Sequence, residues 1–316
     1  MNAFLPDETR ISQVHLRVAN LERSLAFYDG VLGLGVSNSI GPNASLSVSG
    51  DAPPLITLTE DLKATPRPEH ATGLYHFAIR YPTRRDLAHA CLRLVKSDYA
   101  FDGASEHGVS EAIYLSDPDG NGVELCADRP RSQWQWRNGQ ITMTTQPLDL
   151  AGLLAAAEGR PEATAMPPQT DLGHIHLHVG DLTKAERFYR DYLGFGVTQR
   201  SYQGALFFAA GGYHHQLGVN TWAGKAAPPA NAAGLVSYRL EVPEGELLYC
   251  LGHRAPLLGY ESKMDISGEG PDILRIRDPN GTWLEVESTK PAHGCAGIVP
   301  RMKRQLRSAA GFFQST

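Results

Sequence analysis

The chain has 316 residues, of which 42% are apolar, 20% charged and 8% aromatic, the balance of an ordinary globular protein and not of a disordered or fibrous one. A chain of this length predicts two domains, each able to bury its own core without disulfides or a structural metal, so any metal site needs a functional reason. The net charge of −5 provides no extended positive surface, which argues against nucleic acid as a partner and leaves Arg301, Lys303, Arg304 and Arg307 as a solvated tail.

In chain order, the first predicted element is a strand through Val14, Leu16 and Val18, whose period-two alternation gives it two different faces. A helix follows. Asn20 is its N-cap, Leu21, Leu25, Tyr28 and Leu32 form its apolar face, and Gly33 sits where a left-handed C-terminal cap belongs. Glycine-punctuated strand-like pieces come next, then a strand in GLYHFAIRYP, a helix in TRRDLAHACLRLVKS and a hairpin through DPDG. Cys91 reads as core filler on that second helix, beside Leu87 and Leu94. Residues 129–170 form a connection over the surface, with a short helix in LDLAGLLAAAEG and with Trp134 and Trp136 as packing anchors.

The pattern then begins again. QVHLRVANLERSLAFYDGVLGLGV from Gln13 recurs as HIHLHVGDLTKAERFYRDYLGFGV from His174, a displacement of 161 residues. Asp181 is the matching N-cap, and Leu182, Ala185, Tyr189 and Leu193 repeat the apolar face. Asp278 keeps the same displacement from Asp117, as Glu285 does from Glu124. The expected organisation is an α+β chain of two tandem domains, each of paired βαβββ-like modules: residues 1–128, a linker over 129–170, a second domain over 171–290 and a tail over 291–316.

Four cysteines, Cys91, Cys126, Cys250 and Cys295, form no CxxC pair, which fits a reducing compartment. The start of the sequence lacks a secretory pattern and no run of about eighteen apolar residues occurs, so a cytoplasmic protein without a membrane span is expected.

Of the 12 histidines, five fall in two short segments of the second copy: His174, His176 and His178 in GHIHLHV, and His214 and His215 in GYHHQLGV. On a strand the first three share one face, which is therefore polar where the opposite face supplies the hydrophobic layer. A metal would need a further donor. Glu285 in TWLEV is one candidate and Glu287, on the same side of the strand, is its rival.

The duplicated opening, the GYHHQLGVNTW segment and the DPDGN-type hairpin before a Glu resemble the vicinal oxygen chelate superfamily of glyoxalases, bleomycin-resistance proteins and extradiol dioxygenases. Within it the chain is most similar to two-domain bacterial catechol 2,3-dioxygenases, over nearly all of residues 10–290. The resemblance implies cupped mixed sheets and a non-haem Fe(II) centre, with Mn(II) as the other metal such ligands accept. It further implies an aromatic diol and O2 as substrates and a homo-oligomeric assembly. Carried over residue by residue, the implied ligands are His174, His215 and Glu285, and the first domain becomes a scaffold. In that domain Gln13, His76 and Glu124 form a weaker second set.

The chain departs from the family where proton-transfer groups are expected. Arg200 and Tyr202 stand in one such region, Arg275 replaces a Tyr ten residues before the Glu, and Ser237 occupies a usual histidine position. His176, His178 and Tyr202 are the acid–base candidates in their place, and Arg275 the candidate for stabilising a developing anion. Two other activities share the scaffold: a glyoxalase-like metal-dependent isomerase or lyase, and a bleomycin-resistance-like binding protein without catalysis.

Overall fold

In a computed structural model, which describes residues 5–159, 165–266 and 270–290, each half of the chain contains two modules of one strand, one helix and three strands. Cys295 and the basic tail lie outside the described residues. The first module comprises β1 (Arg10–Val18), α1 (Leu21–Leu25), β2 (Gly35–Ile40), β3 (Asn43–Ser47) and β4 (Ile56–Glu60). The second comprises β5 (Gly73–Tyr81), α2 (Arg84–Lys96), β6 (Gly103–Glu106), β7 (Ser110–Ser116) and β8 (Gly122–Asp128). The linker carries three two-residue strands, β9 (Trp136–Arg137), β10 (Gln140–Ile141) and β11 (Gln146–Pro147), and the short helix α3 (Leu150–Ala155). The third module contains β12 (Asp171–His178), α4 (Leu182–Glu186), β13 (Gly196–Gln199), β14 (Ala205–Ala209) and β15 (Leu217–Asn220). The fourth contains β16 (Gly234–Val242), α5 (Gly245–Leu257), β17 (Ser262–Asp265), β18 (Ile273–Arg277) and β19 (Trp283–Ser288).

The caps form as the sequence predicts. Asn20 Oδ1 accepts from the Arg23 amide at 2.7 Å, and Asp181 Oδ1 accepts from the amides of Thr183 and Lys184. Gly33 and Gly194 end the helical segments with φ of 86° and 99°, a conformation that a β-carbon disfavours. The helices themselves differ from the single α-helix expected. After one α-helical turn each widens into a π-helical turn, over Ala26–Val31 and Arg187–Leu193. The wider turn brings consecutive aromatics toward one face, so Phe27 with Tyr28, and Phe188 with Tyr189, are buried together. Tyr28 then donates to Asp117 Oδ2 and Tyr189 to Asp278 Oδ2, each at 2.8 Å, so the duplication is kept down to a buried hydrogen bond.

The sheets do not follow the halves of the sequence. Among the described residues, an eight-stranded sheet runs β17-β18-β19-β16-β1-β4-β3-β2, joining the fourth module to the first. A nine-stranded sheet runs β11-β6-β7-β8-β5-β12-β15-β14-β13, joining the second module to the third. The seams are antiparallel pairings of β1 with β16 and of β5 with β12. Each module leaves its first strand unpaired on one side, and pairing with the other half satisfies that row of backbone donors and acceptors. Segments 1–128 and 171–290 are therefore repeats in sequence, while each sheet is shared between them.

One continuous hydrophobic cluster draws on all four modules, including Leu16, Phe77, Leu177 and Leu240, and Cys91 is buried in it as expected. In the linker Trp134 is buried against Tyr213 and His214, whereas Trp136 is 45% exposed and is not the packing anchor its sequence context suggested. Among the described residues no helix is long and apolar enough to cross a membrane.

Candidate metal centre

The seam between β5 and β12 decides which side chains meet. Ala78 of β5 pairs with His174 of β12 on one side and with Glu124 of β8 on the other, and His76 lies two residues earlier on β5. His76, Glu124 and His174 thereby present their side chains from three adjacent strands. Their donor atoms form an equilateral triangle: His76 Nε2 to His174 Nε2, His76 Nε2 to Glu124 Oε2 and His174 Nε2 to Glu124 Oε2 are each 3.1 Å. All three residues are buried.

That triangle can be tested against a cation. Donors about 2.1 Å from an ion and at right angles to one another lie about 3.0 Å apart, whereas tetrahedral donors lie about 3.4 Å apart. The observed spacing fits one face of an octahedron, which leaves the opposite positions for other ligands. The protonation states fit too. Burial keeps the His174 imidazole below its usual range, and although burial alone would raise Glu124, its two imidazole partners hold that carboxyl well below the ordinary value. Two neutral nitrogens and one carboxylate oxygen are the donor set that a divalent transition ion takes. His174 Nδ1 is buried without a hydrogen-bond partner, so ring packing, with His215 at 4.2 Å between centroids, orients this imidazole.

The triangle opens onto a cavity of about 480 Å³, walled by Tyr75, Tyr114, Phe207, Tyr202, His176 and Trp222 among others. That volume suits a small-molecule guest. Tyr114 donates its hydroxyl proton to His107 Nε2 at 2.7 Å, because His107 Nδ1 donates to the Thr144 carbonyl at 2.6 Å. The linker thus fixes the tautomer of His107, and through it the direction of the Tyr114 hydroxyl. Burial and the nearby Glu124 charge raise the Tyr114 pKa well above its ordinary value, so the phenol stays protonated.

The residues singled out from sequence are distributed unevenly around this centre. His174 is in the triangle. His215 lines the cavity but turns its Nδ1 to His214 Nδ1 at 2.8 Å. Tyr202 lines the cavity beside Phe207. His176 also lines it, with its Nε2 accepting from Asn220 Nδ2 at 3.1 Å. Asn220 Oδ1 in turn accepts from His178 Nδ1 at 2.6 Å, so both histidines are committed to one amide. The His176 ring lies on the backbone of Gly218, where a β-carbon would stand 2.9 Å from its Cγ.

Glu285 and Arg275 stand elsewhere. Glu285 is on β19 in the eight-stranded sheet, where its carboxylate accepts from Arg239 at 2.8 Å and from Arg275 at 3.2 Å. Arg275 also pairs with Asp265 at 3.1 Å. The structure therefore does not bring Glu285 to His174 and His215, because the sheets pair across the halves and β19 belongs to the other cup. Glu287 is held by Arg239 at 2.6 Å. Of the weaker set, His76 and Glu124 do meet, but Gln13 lies on β1 in the other sheet and donates to the Pro54 carbonyl at 3.2 Å.

The 161-residue displacement makes the second cup a degenerate copy of the first. Gln13 corresponds to His174, Ser237 to His76, Arg239 to Ala78 and Arg275 to Tyr114. Two guanidinium groups thus neutralise Glu285, the counterpart of Glu124. His76 and Glu124 were visible in the sequence as residues, but their partner was assigned by contiguity. The missed signal is that one module retains His, Tyr and Glu where its counterpart has Ser, Arg and Glu.

The family model for the Glyoxalase/Bleomycin resistance protein/Dioxygenase superfamily matches residues 10–125 and 171–286, and the chain belongs to that superfamily. Its fold is the α+β vicinal oxygen chelate fold. Among curated proteins the chain is similar to the catechol-2,3-dioxygenase of Bacillus subtilis strain 168, with 45% identity over 285 residues, 88% of this chain and 97% of that protein. A solved Bacillus subtilis structure described as a candidate dioxygenase superposes with a TM-score of 0.64 at 14% identity, covering 90% of this chain and 86% of that one. Glyoxalase I from Zea mays superposes with a TM-score of 0.56 at 16% identity, covering 89% and 92%. At those identities the structural likeness is one of fold alone.

Proposed function

We propose that this protein is an extradiol dioxygenase that inserts both atoms of O2 into a catechol-type aromatic diol at a non-haem Fe(II) centre, held by His76, Glu124 and His174. The observation that carries this reading is the triangle of donors, 3.1 Å on each side, opening onto an aromatic-walled cavity. The similarity to a catechol-2,3-dioxygenase supports the same reaction class.

When bound, iron(II) supplies adjacent coordination positions for a chelating diol and for O2, together with a path for electrons between them. The remaining work belongs to side chains of this chain. Tyr75, Phe207 and Trp222 offer faces and edges against which a ring packs, and they exclude water from its apolar side. His215 stands beside His174 and reaches the cavity as the group placed to receive a hydroxyl proton from the diol. Tyr114, whose hydroxyl proton goes to His107 Nε2, turns its oxygen to the cavity as an acceptor for a hydroxyl of the guest. Tyr202 closes the wall near Phe207. His176, held by Asn220, lines the cavity, and His178 holds the other end of that amide, in place of the acid–base role expected of both from sequence.

Protein loaded anaerobically with Fe(II) is expected, on admission of air and catechol, to consume O2 in equimolar amount and to form a visible-absorbing ring-cleavage product. With ¹⁸O2 both heavy atoms should appear in that product. Fully metallated protein that leaves catechol intact, or that converts it without consuming O2, would overturn the proposal.

A further inference from the structure

Behind His215 a line of polar groups runs outward through the β5–β12 seam. His215 Nδ1 and His214 Nδ1 are 2.8 Å apart, and His214 Nε2 is 3.1 Å from Asp128 Oδ1. Asp128 Oδ2 accepts from Arg80 Nη1 at 3.0 Å, and Arg80 makes two further bonds to Asp171, at 2.9 and 2.7 Å. His214 is 1% exposed and lies between Tyr213, at 4.0 Å, and the edge of Trp134, at 5.2 Å. None of these groups belongs to the donor triangle.

The proton positions along the line follow from what each group is able to give. An ionised carboxylate only accepts, and although burial alone would raise Asp128, its His214 and Arg80 partners hold that carboxyl below its ordinary value. His214 Nε2 must therefore carry the proton it donates to Asp128. In a neutral imidazole its Nδ1 is then a lone pair, so the proton between the two facing Nδ1 atoms belongs to His215. With its Nδ1 protonated, a neutral His215 has an unprotonated Nε2. No hydrogen-bond partner for that Nε2 occurs among the described residues, and His215 lines the cavity.

We infer that Asp128 and His214 are positioning residues that lock His215 as the Nδ1–H tautomer and so leave its Nε2 as a hydrogen-bond acceptor for a hydroxyl of the bound guest. The inference rests on the proposed reading of the cavity as a diol site, and it adds the device that gives His215 its direction. The opposite tautomer would present an N–H to the cavity, able to donate to the oxygen of a guest hydroxyl but not to accept its proton.

The test is ¹⁵N-histidine NMR of protein carrying Zn(II), a diamagnetic ion, with the His215 resonances assigned by their loss in His215→Gln. Nδ1 of His215 should resonate in the protonated range and Nε2 in the unprotonated range. In Asp128→Asn the side-chain amide becomes a donor to His214 Nε2, so both imidazoles should invert and Nε2 of His215 should become protonated. In the iron-loaded enzyme that variant should lose about 10²-fold or more in kcat, with KM within about threefold and metal content unchanged. Asp128→Glu should restore the wild-type tautomer. Should Asp128→Asn fail to fold, His214→Phe takes its place, and there His215 should populate both tautomers. A protonated Nε2 in the wild type, or a tautomer indifferent to both substitutions, would overturn the inference. The NMR result does not depend on turnover, so an enzyme inactive on catechol but with the expected tautomers would sink the proposed reaction and leave the relay intact.

Discussion

His76 Nε2 stands 3.1 Å from His174 Nε2, although 98 residues separate them in the chain. The contact exists only because the second and third modules share a sheet, so the donor triangle belongs to the seam between the halves and to neither half alone. Replacing His76 or Glu124 by Ala should then weaken metal retention by about 100-fold or more, as replacing His174 should. Glu285→Gln should retain a full complement of metal after dialysis. Metal analysis of the four variants separates the alternatives: full occupancy in His76→Ala, or loss in Glu285→Gln, would restore the ligand set carried over from the family.

The second cup makes its own prediction. Glu285 is partly buried between Arg239 and Arg275, and the amide of Gln offers them an acceptor but no compensating charge. Arg239 keeps Glu287 and Arg275 keeps Asp265, so the two guanidinium groups are not stranded. The expected cost of Glu285→Gln is about 1–2 kcal/mol in denaturant unfolding, because the pair is only partly withdrawn from water. An unchanged midpoint would mean that these arginines do not depend on Glu285.

The duplication, the caps and the α+β class were legible because they are local or periodic. Asn20 and Asp181 announce helix starts, alternation announces strands, and a constant displacement aligns Tyr28 and Asp117 with Tyr189 and Asp278. The pairing of modules was not legible. It depends on whether β5 finds its neighbour within its own half or in β12, and both edges offer the same row of backbone groups. The place of Glu285, on a different sheet from His174, was not legible for that reason. His174 stands out in the sequence through its clustering with other histidines, whereas His76 is one histidine in an apolar strand and gains meaning only from the strand beside it.

Gly218 makes room for the imidazole of His176, as a β-carbon there would stand 2.9 Å from its Cγ. Gly218→Ala should push this ring toward the cavity. Overpacking of this kind costs about 1–3 kcal/mol. The KM for catechol should rise several-fold while metal content stays at the wild-type level, since no donor atom of the triangle is displaced. Steady-state kinetics beside metal analysis check this, and an unchanged KM in a stable variant would show that the ring yields elsewhere.

The stability of the metal-free protein should depend on pH in a definite direction. Burial first, and neighbouring imidazoles second, hold His176 and His215 well below their ordinary range, and burial likewise lowers His174. In the unfolded chain these groups return to about 6.5. Above that pH both states carry neutral imidazoles and the stability is fully present. As pH falls below it, the unfolded chain takes up protons that the fold refuses, and stability declines by up to about 1.4 kcal/mol per pH unit for each such histidine. Denaturant midpoints should therefore be level between about pH 8 and 7 and fall between about pH 6.5 and 5. His215→Gln, which cannot titrate, should fall less steeply over that interval by about one proton's share of the slope. Parallel curves for the variant and the wild type would mean that His215 is already protonated in the fold.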